Sequence, residues 1–260
     1  MSPMLQQHCG SLLRTLSGDR AFLRRLPRDL GSTQVYVSPR TDIRLLYWNL
    51  TPAAGDLFTV ARHFVREGDT VWDIGANLGL FSFSAAAKAG SKGRVLSIEP
   101  DARHVELLLK SRKRLPKTSA PVDILSCAVS HQSGIATLAI SSRGHARNHL
   151  AEVAGNDAGE TVERKSVITV TLDWLLEHHP APNFIKIDVE GAEILALQGS
   201  PKLLSEVRPT IYIEVANENL DEATRLLTFY NYDLFDPLTD PTGRPHPIDR
   251  CIFNTLAIPR

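Results

Sequence analysis

Cysteine is scarce in this chain. Three cysteines, Cys9, Cys127 and Cys251, are spread over 260 residues, and no two of them form a C-x-x-C pair. This spacing argues against a zinc site built on paired cysteines and against a disulfide framework, and it is compatible with a reducing compartment.

An excess of charge of one sign is also lacking, as are long apolar runs. The 29 basic and 29 acidic residues give a net charge of zero, so the composition does not indicate a general affinity for nucleic acid. No apolar run reaches the roughly 18 residues that a membrane-spanning helix needs. Arg14 and Asp19 interrupt the apolar residues near the N-terminus, so no secretory signal is indicated. We therefore expect a cytoplasmic protein.

The length and composition are those of a globular enzyme. With 260 residues, 43% of them hydrophobic, the chain suffices for one large domain or for one domain with an extension. We predict an N-terminal extension over residues 1–50 and one α/β domain over residues 51–260. Apolar residues between Leu12 and Leu26 predict a helical cap, and residues 33–50 predict two short strands around a turn at Pro39.

Strands alternate with helices through the larger segment. The first helix is predicted over residues 52–66, with Pro52 at its start. The next strands are predicted over 70–74, 94–99, 122–127, 183–188 and 210–215, and the helices over 78–89, 101–115, 192–205 and 218–229. Two late strands fit residues 232–236 and 251–258. This alternation predicts a parallel sheet with helices on both faces, whose strands end together where ligands bind.

An insertion interrupts the alternation at about residues 133–172. The segments GIATLAI and SVITVTL are rich in β-forming residues and flank a polar, glycine-rich stretch. We predict a β-hairpin with a long loop on the ligand-binding edge, where such loops often shape substrate sites. His145 and His149 lie in this insertion as candidate bases, with solvated loop positions as the alternative.

A glycine-rich turn follows the strand at 70–74. In VWDIGANLGLF, residues 71–81, the spacing is D-x-G-x-N-x-G rather than the G-x-G-x-x-G of a dinucleotide site. Asn77 occupies a position where a pyrophosphate loop favours glycine, and Asp73 precedes the turn. The pattern favours a nucleoside that has a cationic amino-acid end and no phosphates, such as S-adenosylmethionine.

The residues of this turn are candidate contacts for such a ligand. Asp73 is placed to hold an ammonium group, directly or through water. The backbone amides from Gly75 and Ala76 to Leu78 are placed to hold a carboxylate at the start of the helix. Gly75 and Gly79 serve the backbone geometry of the turn. An Asp73 that only braces the turn is the alternative.

Two later strand ends supply further candidate cofactor contacts. Glu99 ends the strand that follows the turn, where a carboxylate can accept two hydrogen bonds from a ribose diol; a glutamate that only caps the next helix is the alternative. Cys127 and Ala128 follow the third strand, at the position expected for an adenine base. We expect Cys127 to line the site as a buried side chain rather than to react.

The segment FIKIDVEGAE, residues 184–193, is the second strong signal. Lys186 and Asp188 are two residues apart on a predicted strand, so their side chains point to the same face. Glu190 comes two residues after Asp188, and Gly191 permits a sharp turn. Charges buried together at a strand end are costly unless they pair or take part in chemistry. We predict Asp188, Lys186 and Glu190 as catalytic residues, with Asp188 or a Lys186 of depressed pKa as the general base. An ion pair that only closes the strand is the alternative.

Oxygen-bearing side chains also end the neighbouring strand. Glu214 closes the strand at 210–215, and Asn217 follows it. Carboxylates at adjacent strand ends can bind Mg²⁺, but they end many sheets that bind no metal. We therefore predict no metal ligand and keep Mg²⁺ only as an alternative.

Several of these motifs resemble those of the FkbM family of S-adenosylmethionine-dependent methyltransferases. The resemblance covers about residues 50–220 and is carried by TVWDIGANLGLFS, VLSIEPD, ILSCAVS, VTLDWLL, IKIDVEGAE and IYIEV. It implies a Rossmann-like class I methyltransferase fold and O-methylation, commonly of sugar or polyketide-type hydroxyls. It also implies cofactor-loop roles for Asp73, Gly75, Asn77, Gly79 and Glu99, and a second signature at Asp188 and Glu190.

These expectations combine into one prediction. The fold is a seven-stranded, mostly parallel sheet with an antiparallel last strand, helices on both faces, the hairpin insertion and the N-terminal helical cap. The function is S-adenosylmethionine-dependent O-methylation of a small-molecule or glycan hydroxyl, with no nucleic-acid partner and the oligomeric state left open, a homodimer being one alternative. A nicotinamide-dependent oxidoreductase and a non-catalytic nucleoside-binding module stay open as other functions.

Overall fold

The computed structural model describes residues 20–47, 49–141, 148–151, 161–240 and 243–260. Its strands, in chain order, are β1 (Phe22–Arg25), β2 (Gln34–Val37), β3 (Thr70–Ile74), β4 (Arg94–Ile98), β5 (Val122–Leu125), β6 (Ala128–Val129), β7 (Gly134–Ser141), β8 (His149–Leu150), β9 (Thr161–Val170), β10 (Phe184–Ile187), β11 (Thr210–Glu214), β12 (Tyr232–Asp236), β13 (His246–Ile248) and β14 (Asn254–Pro259). Its α-helices are α1 (Thr51–Phe64), α2 (Leu80–Ala89), α3 (Ala102–Arg112), α4 (Leu172–His178), α5 (Glu193–Gln198) and α6 (Leu220–Phe229).

The central sheet has the order β13-β12-β14-β11-β10-β3-β4-β5. The five strands from β11 to β5 are parallel, and β14 runs antiparallel to both β11 and β12. The predicted parallel sheet with an antiparallel last strand is therefore confirmed. The sheet has eight strands instead of the predicted seven, because the short β13 adds to its edge. β13 contains Pro247, which an edge strand tolerates and which hides a strand from sequence patterns.

Helices cover both faces of this sheet, and each face has its own apolar core. The middle strand β3 is buried on both sides from Val71 to Ile74, as parallel strands between two helix layers are. One core includes Phe58, Phe81 and Phe184 under α1, α2 and α3, and the other includes Trp72 under α4, α5 and α6. The side chain of Asp73, near the end of β3, is therefore fully buried.

The predicted helix at 192–205 is broken in the structure. α5 ends at Gln198, and a single π-helical turn follows over Leu203–Val207. A Cβ at Gly199 would lie 2.4 Å from the Ser130 carbonyl oxygen, so the chain passes too close to its neighbour to continue regularly there. Pro201 then interrupts the helical hydrogen bonding.

The described part of the N-terminal extension is not the helix that was predicted. Phe22–Arg25 forms β1, which pairs antiparallel with β2, and partly buried and exposed residues alternate along it. Burial therefore alternates with a period of two along β1, but its apolar residues Phe22 and Leu23 are adjacent, so the apolar pattern does not reveal the strand. The second strand expected after Pro39 is instead a 3₁₀ helix over Ile43–Leu46. Residues 1–19, which carry the rest of the predicted cap, lie outside the described residues.

The insertion forms the predicted hairpin. β7 and β9 pair antiparallel from Gly134 opposite Thr169 to Ser141 opposite Thr161, and β6 and β8 complete a separate four-stranded sheet. The hairpin lies after β5 and so reaches the carboxyl edge of the central sheet. None of the helices in the described ranges has the length and apolar content that a membrane crossing requires.

Candidate active site

A cavity of about 500 Å³ lies at the carboxyl ends of the parallel strands. Its walls come from the turns after β3, β4 and β10, the end of β11, the insertion and the N-terminal segment near Thr41. This is the edge at which α/β sheets bind ligands. The predicted site residues that line it are Gly75, Ala76, Asn77, Glu99, Cys127, Ala128, Lys186, Asp188 and Glu190.

The turn after β3 touches the turn after β10. Gly75 has a φ of +78°, and a Cβ on it would lie 1.8 Å from the carbonyl oxygen of Asp188. Gly79 has a φ of +80°, and a Cβ there would lie 2.5 Å from Leu108 Cδ2. Both positions need glycine for backbone conformation and for close packing. The contact at Gly75 brings the two sequence signatures together at one point.

The backbone amides of the first turn are used inside the protein. Gly75 N and Ala76 N both donate to the Ile98 carbonyl oxygen at 2.9 Å, and Asn77 N donates to Glu99 Oε2 at 2.7 Å. Each N–H has one hydrogen, so these three amides do not serve as the predicted donors to a ligand carboxylate. The acceptors lie on the neighbouring strand β4 and the residue that follows it, which the local sequence pattern does not reveal.

Glu99 links the turn after β3 to the residue that precedes α3 by accepting hydrogen bonds from both. It is 5% exposed, and its Oε1 accepts a hydrogen bond from Asp101 N at 2.8 Å while Oε2 accepts the one from Asn77. Asp101, not Glu99, caps α3, because the Asp101 side chain accepts from Arg103 N. Glu99 lines the cavity, and its Oε2 accepts one hydrogen bond and keeps a second lone pair, which is compatible with the predicted diol contact.

His104 is a site residue that the sequence prediction missed. It is buried on α3, its Nε2 lies 3.1 Å from Thr41 Oγ1 and its Nδ1 lies 3.5 Å from Glu99 Oε1. Burial lowers the pKa of His104, but the hydrogen bond and charge of Glu99 and the charge of Asp101 outweigh burial and raise it. His104 thus joins the N-terminal segment to Glu99. The helical spacing of His104, Leu107, Leu108 and Ser111, all buried, was the available signal.

Lys186 lies between two carboxylates at the centre of the sheet edge. It is 2% exposed, and its Nζ is 3.2 Å from Asp73 Oδ1 and 3.2 Å from Asp188 Oδ2. The same Nζ donates a hydrogen bond to the Gly75 carbonyl oxygen at 2.7 Å. One ammonium group therefore ties the end of β3 and its turn to the end of β10.

The pKa of Lys186 excludes the role of general base that the sequence left open. Burial lowers this pKa, but the charges of Asp188 and Asp73 and the hydrogen bonds to them outweigh burial and raise it above the ordinary value. The side chain is therefore an ammonium at neutral pH and has no lone pair to accept a proton. The predicted base role required a depressed pKa, which this side chain does not have.

Asp73 lies behind the cavity wall. Its side chain is fully buried, and Oδ2 accepts a hydrogen bond from Ser82 Oγ, which in turn accepts one from Ser97 Oγ at 2.8 Å. This placement does not allow the predicted direct contact with a ligand ammonium group. Asp73 compensates the charge of Lys186 instead, and it reaches the cavity only through that lysine.

The turn after β10 is braced by a second buried acid. Glu190, which lines the cavity, has a φ of +47°, and Gly191 has a φ of +94°. Glu193 Oε1 accepts from Gly191 N at 2.6 Å, and Asn219 Nδ2 donates to Glu193 Oε2 at 2.9 Å. The last glutamate of the EGAE motif thus holds the turn that presents Asp188 and Glu190.

Glu214 and Tyr212 bring the neighbouring strand into the cavity wall. Tyr212 is buried, and its hydroxyl donates to Asn254 Oδ1 at 2.7 Å. Burial, with the charges of Asp188 and Glu190, raises the pKa of Glu214 to about 8, although Lys186 opposes the shift. The sequence indicated that Glu214 ends a strand. Its raised pKa, however, depends on burial and on the acids Asp188 and Glu190, which follow β10.

Cys127, between β5 and β6, and Ala128, the first residue of β6, line the cavity. Burial raises the pKa of the Cys127 thiol to about 11, so the side chain stays a neutral thiol at physiological pH. This agrees with a lining residue rather than a nucleophile. Their contact with an adenine base stays a prediction.

The insertion is anchored at the edge of the cavity. Asn148 Nδ2 donates to Asp101 Oδ2 at 2.8 Å, and Ser141 N donates to Asn148 Oδ1 at 3.1 Å. His149, a candidate base, is buried on β8 and lines the cavity with Leu150. His145 lies outside the described residues. The hairpin therefore forms one wall of the site.

The polar side chains of the cavity fit a ligand that carries a positive charge. In the described ranges no group of three or more His, Cys, Asp or Glu side chains could hold a metal. Asn77 Oδ1 is buried without a hydrogen-bond partner, and the carboxylates of Asp188, Glu190 and Glu214 crowd one end of the cavity. An unpaired polar atom and an excess of acid fit a ligand that brings a donor and a positive charge.

Comparison with known proteins gives consistent matches. Residues 73–234 match the family model of the methyltransferase FkbM domain. The hexuronic acid methyltransferase AglP of Haloferax volcanii is 26% identical over 185 residues, which are 70% of this chain and 71% of that protein. The crystal structure of the methyltransferase FkbM from Methylobacillus flagellatus KT superposes with a TM-score of 0.52 at 20% identity and shares the fold. The match covers 77% of this chain but only about half, 47%, of that structure.

Proposed function

Since the chain belongs to the FkbM family of methyltransferases, we propose that it transfers the methyl group of S-adenosylmethionine to a hydroxyl of a sugar. A polyketide-type hydroxyl is the second candidate acceptor. The similarity to a hexuronic acid methyltransferase favours the sugar. The observation that carries the proposal is the contact at Gly75, which joins the glycine-rich turn and the KIDVEGAE turn on one cavity.

Three sets of residues are proposed to hold the cofactor. Glu99 is proposed to accept the ribose hydroxyls, because it lines the cavity and its carboxylate is already oriented by backbone amides. Asn77, whose Oδ1 lacks a partner, contributes a polar contact. Cys127 and Ala128 line the position of the base. The acids at the opposite end of the cavity are proposed to face the cationic part of the molecule.

When bound, the cofactor supplies an electrophilic methyl group on a sulfonium, which an acceptor oxygen takes as the carbon–sulfur bond breaks and sulfur leaves neutral. Asp188 is proposed to orient the acceptor hydroxyl, since it is the acid that Lys186 holds in a fixed place. Lys186 and Asp73 act through Asp188 as positioning residues. Most of the rate is then expected from alignment of the reacting groups.

Calorimetric titration tests the cofactor assignment. We expect S-adenosylmethionine and S-adenosylhomocysteine to bind, NAD to give no binding heat, and Glu99→Ala to weaken the binding of both nucleosides. Binding of NAD instead would favour the oxidoreductase. No binding of any of the three would overturn the proposed cofactor.

A methyl-transfer assay tests the acceptor. Methyl-labelled S-adenosylmethionine is supplied with methyl glycosides of glucose, rhamnose and glucuronic acid, and the product is treated with alkali. We expect label in an ether, which resists alkali. Label that alkali releases would be a carboxyl ester, and it would overturn the hydroxyl assignment while retaining methyl transfer. Binding of the nucleoside without transfer to any glycoside would overturn the sugar acceptor.

A further inference from the structure

Neighbouring strands place Glu214 beside Asp188. Lys186 on β10 is in register with Asp73 on β3 and with Tyr212 on β11. Two residues further along β10 and β11, the side chains on this same face are Asp188 and Glu214. Parallel strands lie about 4.8 Å apart, so the two acids end adjacent strands on one face and open into one cavity.

The acidic side chains near the ends of β10 and β11 differ in the hydrogen bonds and ion pairs that they already make. Asp188 Oδ2 is paired with the Lys186 ammonium, so a proton that arrives there competes with a fixed positive charge. Glu193 accepts hydrogen bonds from Gly191 and Asn219 and lies outside the lining. Within the described ranges, by contrast, no donor hydrogen-bonds to the Glu214 carboxylate. Glu214 is thus the acid on this face that is open to accept a proton from a ligand.

The electrostatic surroundings of Glu214 favour proton uptake. Burial disfavours its charged form, and the carboxylates of Asp188, Glu190 and Glu193 add repulsion, while only Lys186 opposes them. Tyr212, on the same strand, stays a neutral phenol because burial raises its pKa. The pKa of Glu214, about 8, lies near the usual working pH, where general bases are most effective.

We propose that Glu214 is the general base that takes the proton of the acceptor hydroxyl, while the Asp188–Lys186 pair orients that hydroxyl. This inference rests on the proposed O-methylation. The acceptor oxygen forms its bond to the methyl carbon, and the electron pair of the broken carbon–sulfur bond stays on sulfur. The hydroxyl proton passes to a carboxylate oxygen of Glu214 and then to water. A carboxylate acceptor would carry no such proton and would need no base.

Infrared titration of the protein without ligands tests the inference independently of any acceptor. In the wild type we expect a component of the carboxylic-acid carbonyl band to disappear with a midpoint near pH 8, and Glu214→Gln should lack this component. Any absorption from Glu193 and Asp73, whose pKa values burial also raises, should remain in the variant. Glu218→Gln is the matched control, because Glu218 is exposed and lies outside the cavity lining. In Asp188→Asn the midpoint should move down, since one repelling charge is removed. A component with the wild-type midpoint that persists in Glu214→Gln, or the lack of any band above neutral pH, would overturn the inference.

The pH dependence of methyl transfer is the second test, with the best glycoside of the acceptor panel. We expect kcat/KM to rise through about pH 8 in the wild type, because this ratio reports the ionisation of the free protein. In Glu214→Gln, kcat/KM should fall about 100-fold or more and lose this rise, with little change in the affinity for S-adenosylmethionine. Transfer that is unchanged in Glu214→Gln would reject Glu214 as the base and leave the proposed function intact. An infrared band near pH 8 without transfer to any glycoside would instead overturn the sugar acceptor.

Discussion

A lysine that is 2% exposed organises the acidic end of the cavity. Lys186 donates to the Gly75 carbonyl oxygen and pairs with Asp73 behind the wall and Asp188 in front of it. Buried charges are tolerated when each is paired and hydrogen-bonded, and removing one partner leaves the others uncompensated. The position of Asp188 therefore depends on a side chain that itself does not react.

Replacement of Lys186 by methionine should destabilise the protein strongly. Lys186→Met leaves Asp73 as a buried carboxylate without its counter-ion, for which a loss of about 3–5 kcal/mol in the free energy of unfolding is expected. Urea denaturation measures this loss. The control is Lys202→Met, which removes an exposed pair with Glu177 and should cost less than about 1 kcal/mol. Equal losses in the two variants would contradict the role of Lys186.

Glu214 should make the folded protein less stable as pH rises. Its pKa is raised to about 8 in the fold, whereas an unfolded glutamate titrates near 4.3, so the folded state binds more protons between these values. The free energy of unfolding must then fall with increasing pH across that interval. Glu193 adds to the fall, because burial also raises its pKa.

Urea denaturation between pH 5 and pH 8 measures this slope. Glu214→Gln should reduce the fall of the free energy of unfolding with pH, and Glu218→Gln should leave this fall as in the wild type. A Glu214→Gln protein with the full wild-type slope would show that Glu214 ionises normally.

At the scale of elements, the site is the junction of two strand-to-helix turns. The turn between β3 and α2 and the turn between β10 and α5 approach so closely that Gly75 has no room for a side chain. Hydrogen bonds from Gly75 and Ala76 to Ile98 fix the first turn, and Glu193 fixes the second. A substitution in either turn should therefore shift residues of both sequence signatures.

The glycine at this junction offers a matched comparison. Gly75→Ala and Gly68→Ala both place a side chain at positive φ, but a Cβ at Gly68 meets nothing within 4 Å, whereas one at Gly75 meets the Asp188 carbonyl oxygen. Both variants should lose about 1–2 kcal/mol for the backbone conformation. Gly75→Ala should lose about 1–3 kcal/mol more from overpacking, with weaker binding of S-adenosylmethionine. Thermal denaturation and calorimetry measure the two effects, and equal behaviour of the variants would contradict the contact.

At the scale of the whole molecule, the cavity is assembled from segments that are distant in the chain. Its lining runs from Thr41 in the N-terminal segment to Phe253 before β14, and the hairpin insertion closes one side. Such a site exists only in the folded state. A ligand that fits it must therefore stabilise the entire fold by mass action.

Ligand addition should raise the free energy of unfolding by an amount that grows with the logarithm of the ligand concentration divided by its dissociation constant. At a free S-adenosylmethionine concentration of 100 times its dissociation constant, the gain should be about 2.7 kcal/mol. Thermal denaturation with and without the nucleoside measures it, and NAD at the same concentration is the control. The gain should shrink in Glu99→Ala. An equal gain from NAD would argue that the cavity does not select for the proposed nucleoside.

The amino-acid sequence by itself determined the alternation of strands and helices and the two signatures. Strand β3 and the turn after it follow from an apolar run, an acid and glycines at fixed offsets, all within eleven residues. The hairpin insertion follows in the same way from two β-rich segments. These features are local, because backbone propensity and side-chain period act over one or two turns of chain.

Only the tertiary structure decided which side chains meet. Several features depend on contacts between residues from different segments. They are the raised pKa of Lys186, the burial of Asp73, the link from Thr41 through His104 to Glu99, and the pairing of β1 with β2. The same holds for Glu214, whose proton affinity is set by burial and by acids on the neighbouring strand. Burial and Coulomb interactions depend on distance in space, which strand order and register fix, and no local pattern in this chain specifies them.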